Sequence, residues 1–278
     1  MRPDYKIKDA DRQPVTVRWR TIAEYAGMLR DAVARDGYPN SSVTGSREFT
    51  GTRDASEYLH MLENGWPEAV QGVEGLDGLS VDAVERPMLC RSVAGCFPSV
   101  PDFIAGSPTS MYDIRRQPSE HKSVYLVANV SASGSVESDV ITEYARSVMR
   151  LLAGLQAQQL DAAVVVVVHA RLNGKLYSYP VWIRELGQVL QPERIAAILH
   201  PSWLRRAYFA AVEYDAGKGC KDALDAVQGG YGSSVAIDGE VCRQLLPEAQ
   251  SVIILPQPGR GDPTKVVQEA LSIKLRAD

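Results

Sequence analysis

The sequence has no long hydrophobic run and no excess of positive charge. Its most apolar stretch, residues 162–168, is far too short to cross a bilayer, which takes about 20 consecutive apolar residues. The 30 lysines and arginines are outnumbered by 34 aspartates and glutamates, so the overall charge does not favour binding to nucleic acid. The first residues also lack the basic and then apolar pattern of a signal peptide. We therefore expect a protein with no membrane segment and no secretory leader.

Cysteine is scarce, and its spacing carries no metal signature. The chain has only Cys90, Cys96, Cys220 and Cys242, with no C-x-x-C pair and no histidine at zinc-finger spacing. Buried free thiols that pack as small apolar groups are the simplest interpretation. A pair between Cys90 and Cys96 stays open for an oxidising compartment.

Motifs for catalysis are missing as well. No G-x-S-x-G turn is present, and residues 259–262 lack the lysine and hydroxyl of a phosphate-binding loop. Each of the four scattered histidines is better explained as a surface or core residue than as a general base; they are His60, His121, His169 and His200. The sequence therefore predicts a protein that is not an enzyme and that needs no cofactor.

The first part of the chain, residues 1–121, predicts an N-terminal helical region. A polar arm over residues 1–20 precedes a helix beginning at Ile22, and a second helix follows over residues 54–64, with Asp54 as its cap and Gly65 as its stop. A stretch rich in Gly, Asp and Glu then leads to an irregular segment, residues 98–118, of the kind that wraps onto a neighbouring domain.

The second part, residues 122–278, alternates between strands and helices, which predicts an α/β domain with a mostly parallel sheet. A strand over residues 124–130 precedes an amphipathic helix over residues 137–159. A valine-rich strand then turns at Asn173-Gly174 into an antiparallel strand over residues 176–186, and Pro180 places that strand at the sheet edge. We expect a core of central-strand residues, namely Val124, Leu126, Val165, Val167, Ile253 and Leu255.

The run Asn129-Val130-Ser131-Ala132-Ser133 follows the first strand of this domain. Together with the order of elements, it resembles the metal-site loop D-x-S-x-S of a von Willebrand factor A-like, Rossmann-like domain, with the leading acid changed to an amide. The resemblance also implies an acid after a later strand, where this chain has Gln257. Asp262 is then the remaining carboxylate.

A degenerate loop of this kind predicts no bound metal, since hard cations need oxygen ligands and usually a carboxylate. Ser131 and Ser133 would instead cap the following helix. Ligands of open α/β sheets bind at the carboxyl ends of the strands, so we expect a contact surface made of Asn129, Ser131, Ser133, Gln257 and Asp262.

A second resemblance involves Phe49-Thr50-Gly51-Thr52, Asn64-Gly65-Trp66 and Gly106-Ser107-Pro108. With the 129–133 loop, they are similar to an uncharacterised family of phage and prophage proteins. That resemblance implies an origin in a virus or mobile element and a location in the host cytoplasm or virion.

Two basic and aromatic clusters provide an alternative. Cations beside stacking surfaces can grip single-stranded nucleic acid, although such side chains more often cover a protein core with their stems. The clusters contain Trp19 and Arg20 in the first case, and Trp203, Arg205 and Arg206 in the second.

The interpretation that accounts for most of these features is a non-enzymatic protein-interaction or structural component of phage origin. Its partner would be a protein, either another phage protein or a second copy of this chain, bound through residues 1–20 and 98–118. The alternatives are a nucleic-acid-binding accessory protein and a metal-dependent A-domain interaction module.

Overall fold

A computed structural model describes residues 4–35, 41–73, 85–118, 123–158, 160–249 and 251–271. Its strands are β1 (Tyr5–Lys8), β2 (Pro14–Val17), β3 (Glu85–Ser92), β4 (Phe97–Pro98), β5 (Met111–Pro118), β6 (Ser123–Asn129), β7 (Asp161–Leu172), β8 (Lys175–Arg184), β9 (Ser233–Ser234) and β10 (Val252–Leu255). Its helices are α1 (Ile22–Ala34), α2 (Ser41–Thr44), α3 (Arg47–Thr50), α4 (Ala55–Asn64), α5 (Val100–Ile104), α6 (Ser138–Ala157), α7 (Pro192–Leu199), α8 (Phe209–Gly217), α9 (Lys221–Gly229), α10 (Gly239–Leu245) and α11 (Pro263–Leu271). A 3₁₀ turn (Pro67–Ala69) and a π-helical turn (Trp203–Tyr208) complete these elements.

The main sheet has the strand order β1-β2-β8-β7-β6-β10, and β9 pairs with the end of β7. The pairs β10–β6, β6–β7 and β2–β8 are parallel, whereas β1–β2, β7–β8 and β7–β9 are antiparallel. The predicted α/β class, with a mixed sheet and an N-terminal helix, is therefore confirmed.

The prediction that the return strand β8 lies at the sheet edge is wrong. Residues 5–17, predicted as part of a polar arm, form a hairpin whose strand β2 pairs with β8 through Leu176–Ser178, so β1 is the antiparallel edge strand. Pro180 lies past that ladder, and its carbonyl accepts a bond from the Arg20 backbone N–H at 3.4 Å. Because the carbonyl and nitrogen of one strand residue face the same side, the position of the missing proline N–H faces the chain after β2, and the β7–β8 ladder loses no bond.

The predicted irregular segment 98–118 is also more ordered than expected. Strands β4 and β5 pair with each other, and β5 pairs along its whole length with β3, which gives a second, three-stranded antiparallel sheet. The short helix α5 connects β4 to the turn before β5. Most of the preceding stretch rich in Gly, Asp and Glu lies outside the described residues, as does His121.

Helices cover both faces of the main sheet, which explains the continuous apolar pattern of its central strands. One face, with Leu126 and Val166, packs in a large core with α1, α4, α6, α7 and α8. The opposite face, with Val127 and Val165, packs with Trp19 and α10 in a smaller core. The sheet and this large core thus draw on both sides of residue 121, and the division of the chain into two domains there stays a prediction.

All six predicted core residues are buried, with Leu126 completely inaccessible. Replacing Leu126 with alanine should lower the free energy of unfolding by about 2–5 kcal/mol, because the removed methyl groups leave a cavity in a packed interior. Urea denaturation monitored by circular dichroism measures this loss. Leu224→Ala is the matched control, since that side chain is 38% exposed. A neutral Leu126→Ala variant would contradict the packing described.

The expectation of buried free thiols is confirmed only for Cys242. The four cysteines are free, but Cys96 is exposed, and Cys90 and Cys220 are intermediate. Within the described residues, no helix combines the length and the hydropathy that crossing a membrane requires.

Candidate functional site

The two amides that replace the expected acids converge on one backbone carbonyl. Asn129 at the end of β6 is 1% exposed, and its Nδ2 donates to the Val235 carbonyl oxygen at 2.9 Å. Gln257, after β10, is 6% exposed and donates to the same oxygen through Nε2 at 3.2 Å. Carboxylates at either position would have no proton to donate and would face this oxygen at close range. Both amides are therefore explained by a structural contact.

Ser131 connects the two central strands behind these amides. Its hydroxyl lies 2.6 Å from Asn129 Oδ1 and 2.9 Å from the His169 carbonyl oxygen, and it accepts from the His169 backbone N–H at 2.7 Å. The Ser131 backbone N–H also donates to Asn129 Oδ1, at 3.1 Å. Because a buried hydroxyl needs such partners, this side chain fixes the path of the chain as it leaves β6.

The segment around β9 lies over the carboxyl end of β6. Strand β6 pairs with β7 only as far as Val167, and β9 then pairs with Ala170 and Arg171 beyond the end of β6. Val235 continues this pairing by donating to the His169 carbonyl at 3.0 Å. The Val235 carbonyl is thus fixed over the carboxyl end of β6, where the amides reach it.

Of the five residues predicted to form a contact surface, only Ser133 and Asp262 are exposed, while Asn129, Ser131 and Gln257 are buried. The predicted capping role is wrong for both serines: α6 has Glu137 at its N-cap position without a side-chain cap, and Ser133 Oγ accepts from Ser135 Oγ at 3.1 Å. Asp262 instead accepts from the Thr264 backbone N–H at the start of α11.

No group of three or more His, Cys, Asp or Glu residues is placed to hold a metal ion within the described ranges. The expectation that the protein binds no metal stays a prediction.

An acid at position 129 tests this interpretation. Asn129→Asp should lower the free energy of unfolding by about 1–3 kcal/mol, since the partly buried Val235 carbonyl loses one of its two amide donors and meets a charged oxygen. The measurement is chemical denaturation with and without millimolar Mg²⁺. Asp262→Asn, an exposed exchange in the opposite sense, should be nearly neutral. If Mg²⁺ made the Asn129→Asp variant more stable than the parent chain, the carboxyl end of β6 would be a metal site after all.

The residues of the two basic and aromatic clusters are all buried. Trp19 and Arg20 are 8% and 7% exposed, and Trp203, Arg205 and Arg206 are at most 1% exposed. The exposed patch that the nucleic-acid alternative requires is therefore not formed by these five residues. Trp19 stacks on Trp182, with ring centroids 6.0 Å apart.

Arg206 organises the segment that contains α2 and α3, residues 41–52. Its guanidinium donates to the carbonyl oxygens of Ser42, Val43, Gly45 and Thr52 and to the hydroxyls of Thr50 and Thr52, at 2.8–3.1 Å. Glu213 also fixes the start of the segment, since its carboxylate accepts from the Ser42 backbone N–H and hydroxyl at 3.2 and 2.5 Å. The segment is therefore held to the helical layer by buried charged side chains.

Arg18 and Arg20 share one buried acid, Asp215 at the end of α8. Their guanidinium nitrogens lie 2.5 Å from its two carboxylate oxygens, and the Tyr179 hydroxyl lies 3.2 Å from one of them. This cluster fastens the chain after the N-terminal hairpin to the helical layer. Sequence reasoning missed Asp215, which lies in the apolar pattern of a helix two residues after Glu213.

Two histidines near these elements are buried. Burial lowers the pKa of His169 to about 4 and that of His200 to about 3. His200 Nδ1 accepts from the Ser202 backbone N–H at 3.0 Å, so the neutral ring is built into the fold. Gly51 packs against this ring, because an added Cβ would lie 2.8 Å from His200 Cε1.

Both lowered pKa values predict a loss of stability in acid. An unfolded histidine titrates near its usual pKa of about 6.5, so the unfolded state binds more protons between about pH 6.5 and the folded pKa. Stability should therefore fall as the pH falls through this window. His200→Asn should make the decline of the urea midpoint from pH 7 to pH 4 shallower than in the parent, whereas the exposed control His60→Asn should not. An unchanged slope for His200→Asn would count against a buried neutral His200.

A cavity of about 270 Å³ opens at the carboxyl ends of β6 and β7, and we call it the carboxyl-edge cavity. Its walls come from the loop after β6, the end of β7, the π-helical turn and residues 230–234, with Phe49 contributed by α3. Gly232 is required at its wall, because an added Cβ would lie 2.7 Å from the Arg171 carbonyl oxygen. This is the position at which open α/β sheets bind their ligands.

Exposed apolar side chains are concentrated elsewhere, in the chain segment that connects β3 to β5. Of the ten large hydrophobic side chains that are exposed in the described ranges, five fall within residues 93–104: Val93, Phe97, Val100, Phe103 and Ile104. Their exposed fractions run from 51% to 79%. We call these five residues the apolar patch. The sequence analysis had singled out residues 98–118 as a recognition segment but had not identified these side chains.

Comparison with known protein families gives one match. The family is described as "Domain of unknown function (DUF7192)", and its model matches residues 16–266. The chain belongs to the DUF7192 family. No curated protein and no solved structure matches it. The DUF7192 match begins in β2 and ends within α11, so it includes the carboxyl-edge cavity, the apolar patch and the cluster around Asp215.

Proposed function

We propose that this DUF7192 protein is a non-enzymatic interaction module that binds another protein through the apolar patch. Half of the large hydrophobic side chains that are exposed in the described part of the chain lie within twelve residues, and this concentration carries the proposal. Single exposed apolar residues are ordinary, whereas a contiguous group on a soluble surface marks a site of association. Phe103 and Ile104, at 74% and 79% exposed, are its most accessible aromatic and aliphatic members near the end of α5.

The second sheet supports this assignment by presenting the patch. Ser99 anchors the start of α5 by donating its backbone N–H to the Ser110 carbonyl at 2.7 Å and its hydroxyl to Asp102 at 2.6 Å. Arg91 on β3 forms an ion pair with the same carboxylate at 3.1 Å. A helix held in this way presents its apolar side chains in a fixed arrangement, which lowers the entropy lost on binding.

We also propose a relationship to A-like domains and an origin for the chain. If β6 is counted as the first strand of the domain, then β7, β8 and β10 are the second, third and fourth. Their order in the sheet is 3-2-1-4, as in doubly wound sheets. We therefore propose a degenerate A-like domain in which the β9 segment replaces the metal. An origin in phage or prophage, with a phage protein or a second copy as the partner, rests on the resemblance of the sequence motifs alone.

The experiment is a quantitative affinity capture from cells that naturally contain the protein, followed by reconstitution with the purified partner. Phe103→Ser combined with Ile104→Ser should weaken binding of that partner at least tenfold, because aromatic and aliphatic anchors at an interface centre each contribute about 2 kcal/mol or more. Val189→Ser, which removes a side chain 56% exposed outside the patch, should bind like the parent. Equal affinity of the parent and the double variant would contradict the proposal.

A further inference from the structure

The carboxyl-edge cavity has one charged side chain in its wall. Among the described residues that line it, Arg205 on the π-helical turn is the only charged one, and none is an acid. The Arg205 side chain donates to the carbonyl oxygens of Phe49 and Val136 and forms no ion pair with any described residue. Burial lowers the pKa of Arg205, as expected for a guanidinium whose charge has lost solvent without gaining a counter-ion.

A buried charge without a partner is costly, and proteins ordinarily pair it or hold it at a site where a ligand does so. Arg206, the next residue, shows the contrast: its six acceptor contacts surround the guanidinium entirely with protein. Arg205 instead lines an open cavity, where an anion can come close to its charge.

The remaining walls combine aromatic rings with hydroxyls. Phe209 stacks on Tyr231, with centroids 3.9 Å apart and planes 13° apart, and Phe49 lies under the Arg205 guanidinium at 4.1 Å. Ser133 and Ser234 bring hydroxyl donors to the same cavity. This mixture of apolar walls with a few polar groups is typical of sites for small organic molecules.

We infer that the carboxyl-edge cavity binds a small organic anion, a carboxylate carried on a planar apolar body, with Arg205 as its counter-charge. The carboxylate would meet Arg205 and the Ser133 hydroxyl, while the apolar body would lie against the rings of Phe209 and Tyr231. The site is separate from the apolar patch, so this inference does not depend on the proposed protein interaction.

The test uses benzoate as the probe, added to the full chain at constant ionic strength and followed by chemical-shift changes and thermal melting. Benzoate should bind saturably and raise the melting temperature, whereas benzamide, its neutral counterpart, should do neither. Acetate and inorganic phosphate separate the role of the apolar body from that of charge alone. Equal responses to benzoate and benzamide, no response to benzoate, or a phosphate response as large as that to benzoate would each overturn the inference.

Two variants locate the site. Arg205→Met should abolish the benzoate response, but it also removes bonds to Phe49 and Val136 and can weaken the fold. Ser133→Asp avoids that difficulty, because Ser133 is exposed and its new carboxylate would compete for the charge of Arg205. It should lower benzoate affinity at least tenfold without lowering the melting temperature of the ligand-free chain. Ser135→Asp, at an exposed serine that does not line the cavity, is the matched control and should bind benzoate normally. Normal binding by Ser133→Asp would overturn the inference.

Discussion

Replacing Arg206 with methionine should lower the free energy of unfolding by more than about 4 kcal/mol. The Arg206 side chain is fully inaccessible, and the change removes its donors from the carbonyl oxygens of Ser42, Val43, Gly45 and Thr52. Within the described residues, only the Thr52 oxygen keeps a side-chain donor, the Thr50 hydroxyl. Each buried acceptor left unsatisfied costs about 1–3 kcal/mol, and methionine replaces only the apolar volume. Equilibrium urea unfolding gives the loss directly.

The control for this prediction is Arg53→Met. The Arg53 side chain is 71% exposed and forms one i,i+4 ion pair, with Glu57 at 3.4 Å, so the exchange should cost less than about 0.5 kcal/mol. Hydrogen exchange adds a local measurement, because amides of residues 41–52 should lose protection first in Arg206→Met. A loss below about 1 kcal/mol would show that Arg206 does not hold this segment.

The Asp215→Asn exchange should lower the free energy of unfolding by about 3–5 kcal/mol. The asparagine is nearly the same size, but it removes the charge that Arg18 and the buried Arg20 share. Arg18 keeps its ion pair with Asp4, so the main energetic cost is the burial of Arg20 beside a neutral partner. Thermal and urea unfolding should agree on this loss.

A matched exchange at the surface separates the effect of losing a charge from the effect of burial. Glu63→Gln breaks an ion pair with Arg30 in which both side chains are about half exposed, and such pairs contribute at most about 1 kcal/mol. The ordering of the two losses is therefore predicted, with Asp215→Asn much the larger. Equal losses would mean that the Arg18–Asp215–Arg20 cluster is solvated in solution.

The sequence was informative wherever a local pattern determines the structure. The helix over residues 54–64 has its expected cap, because the Asp54 side chain accepts from the Glu57 backbone N–H, and Gly65 ends it with a φ of 90°. The valine-rich strand β7, its turn at Asn173-Gly174 and the buried central residues were also predictable, since a sheet covered on both faces needs continuous apolar strands.

Contacts between distant segments could not be read from local patterns. Residues 5–17 alternate too weakly between polar and apolar side chains to predict strands. They form the hairpin β1–β2, and β2 pairs with the edge of β8. Arg205 and Arg206 look like a solvated basic pair, yet the backbone carbonyls of residues 42–52 bury Arg206 from more than 150 positions away. The amides at positions 129 and 257 were visible in the sequence, whereas their shared acceptor, the Val235 carbonyl, required the structure.

We propose that this protein binds its partner through the apolar patch. The most direct measurement is hydrogen exchange on residues 93–104 in the isolated chain and in the reconstituted complex with the purified partner. We predict that these amides become at least tenfold more protected in the complex, whereas those of α10, on the opposite side of the main sheet from the large core, do not change. Equal protection of residues 93–104 in the free chain and in the complex would contradict the account.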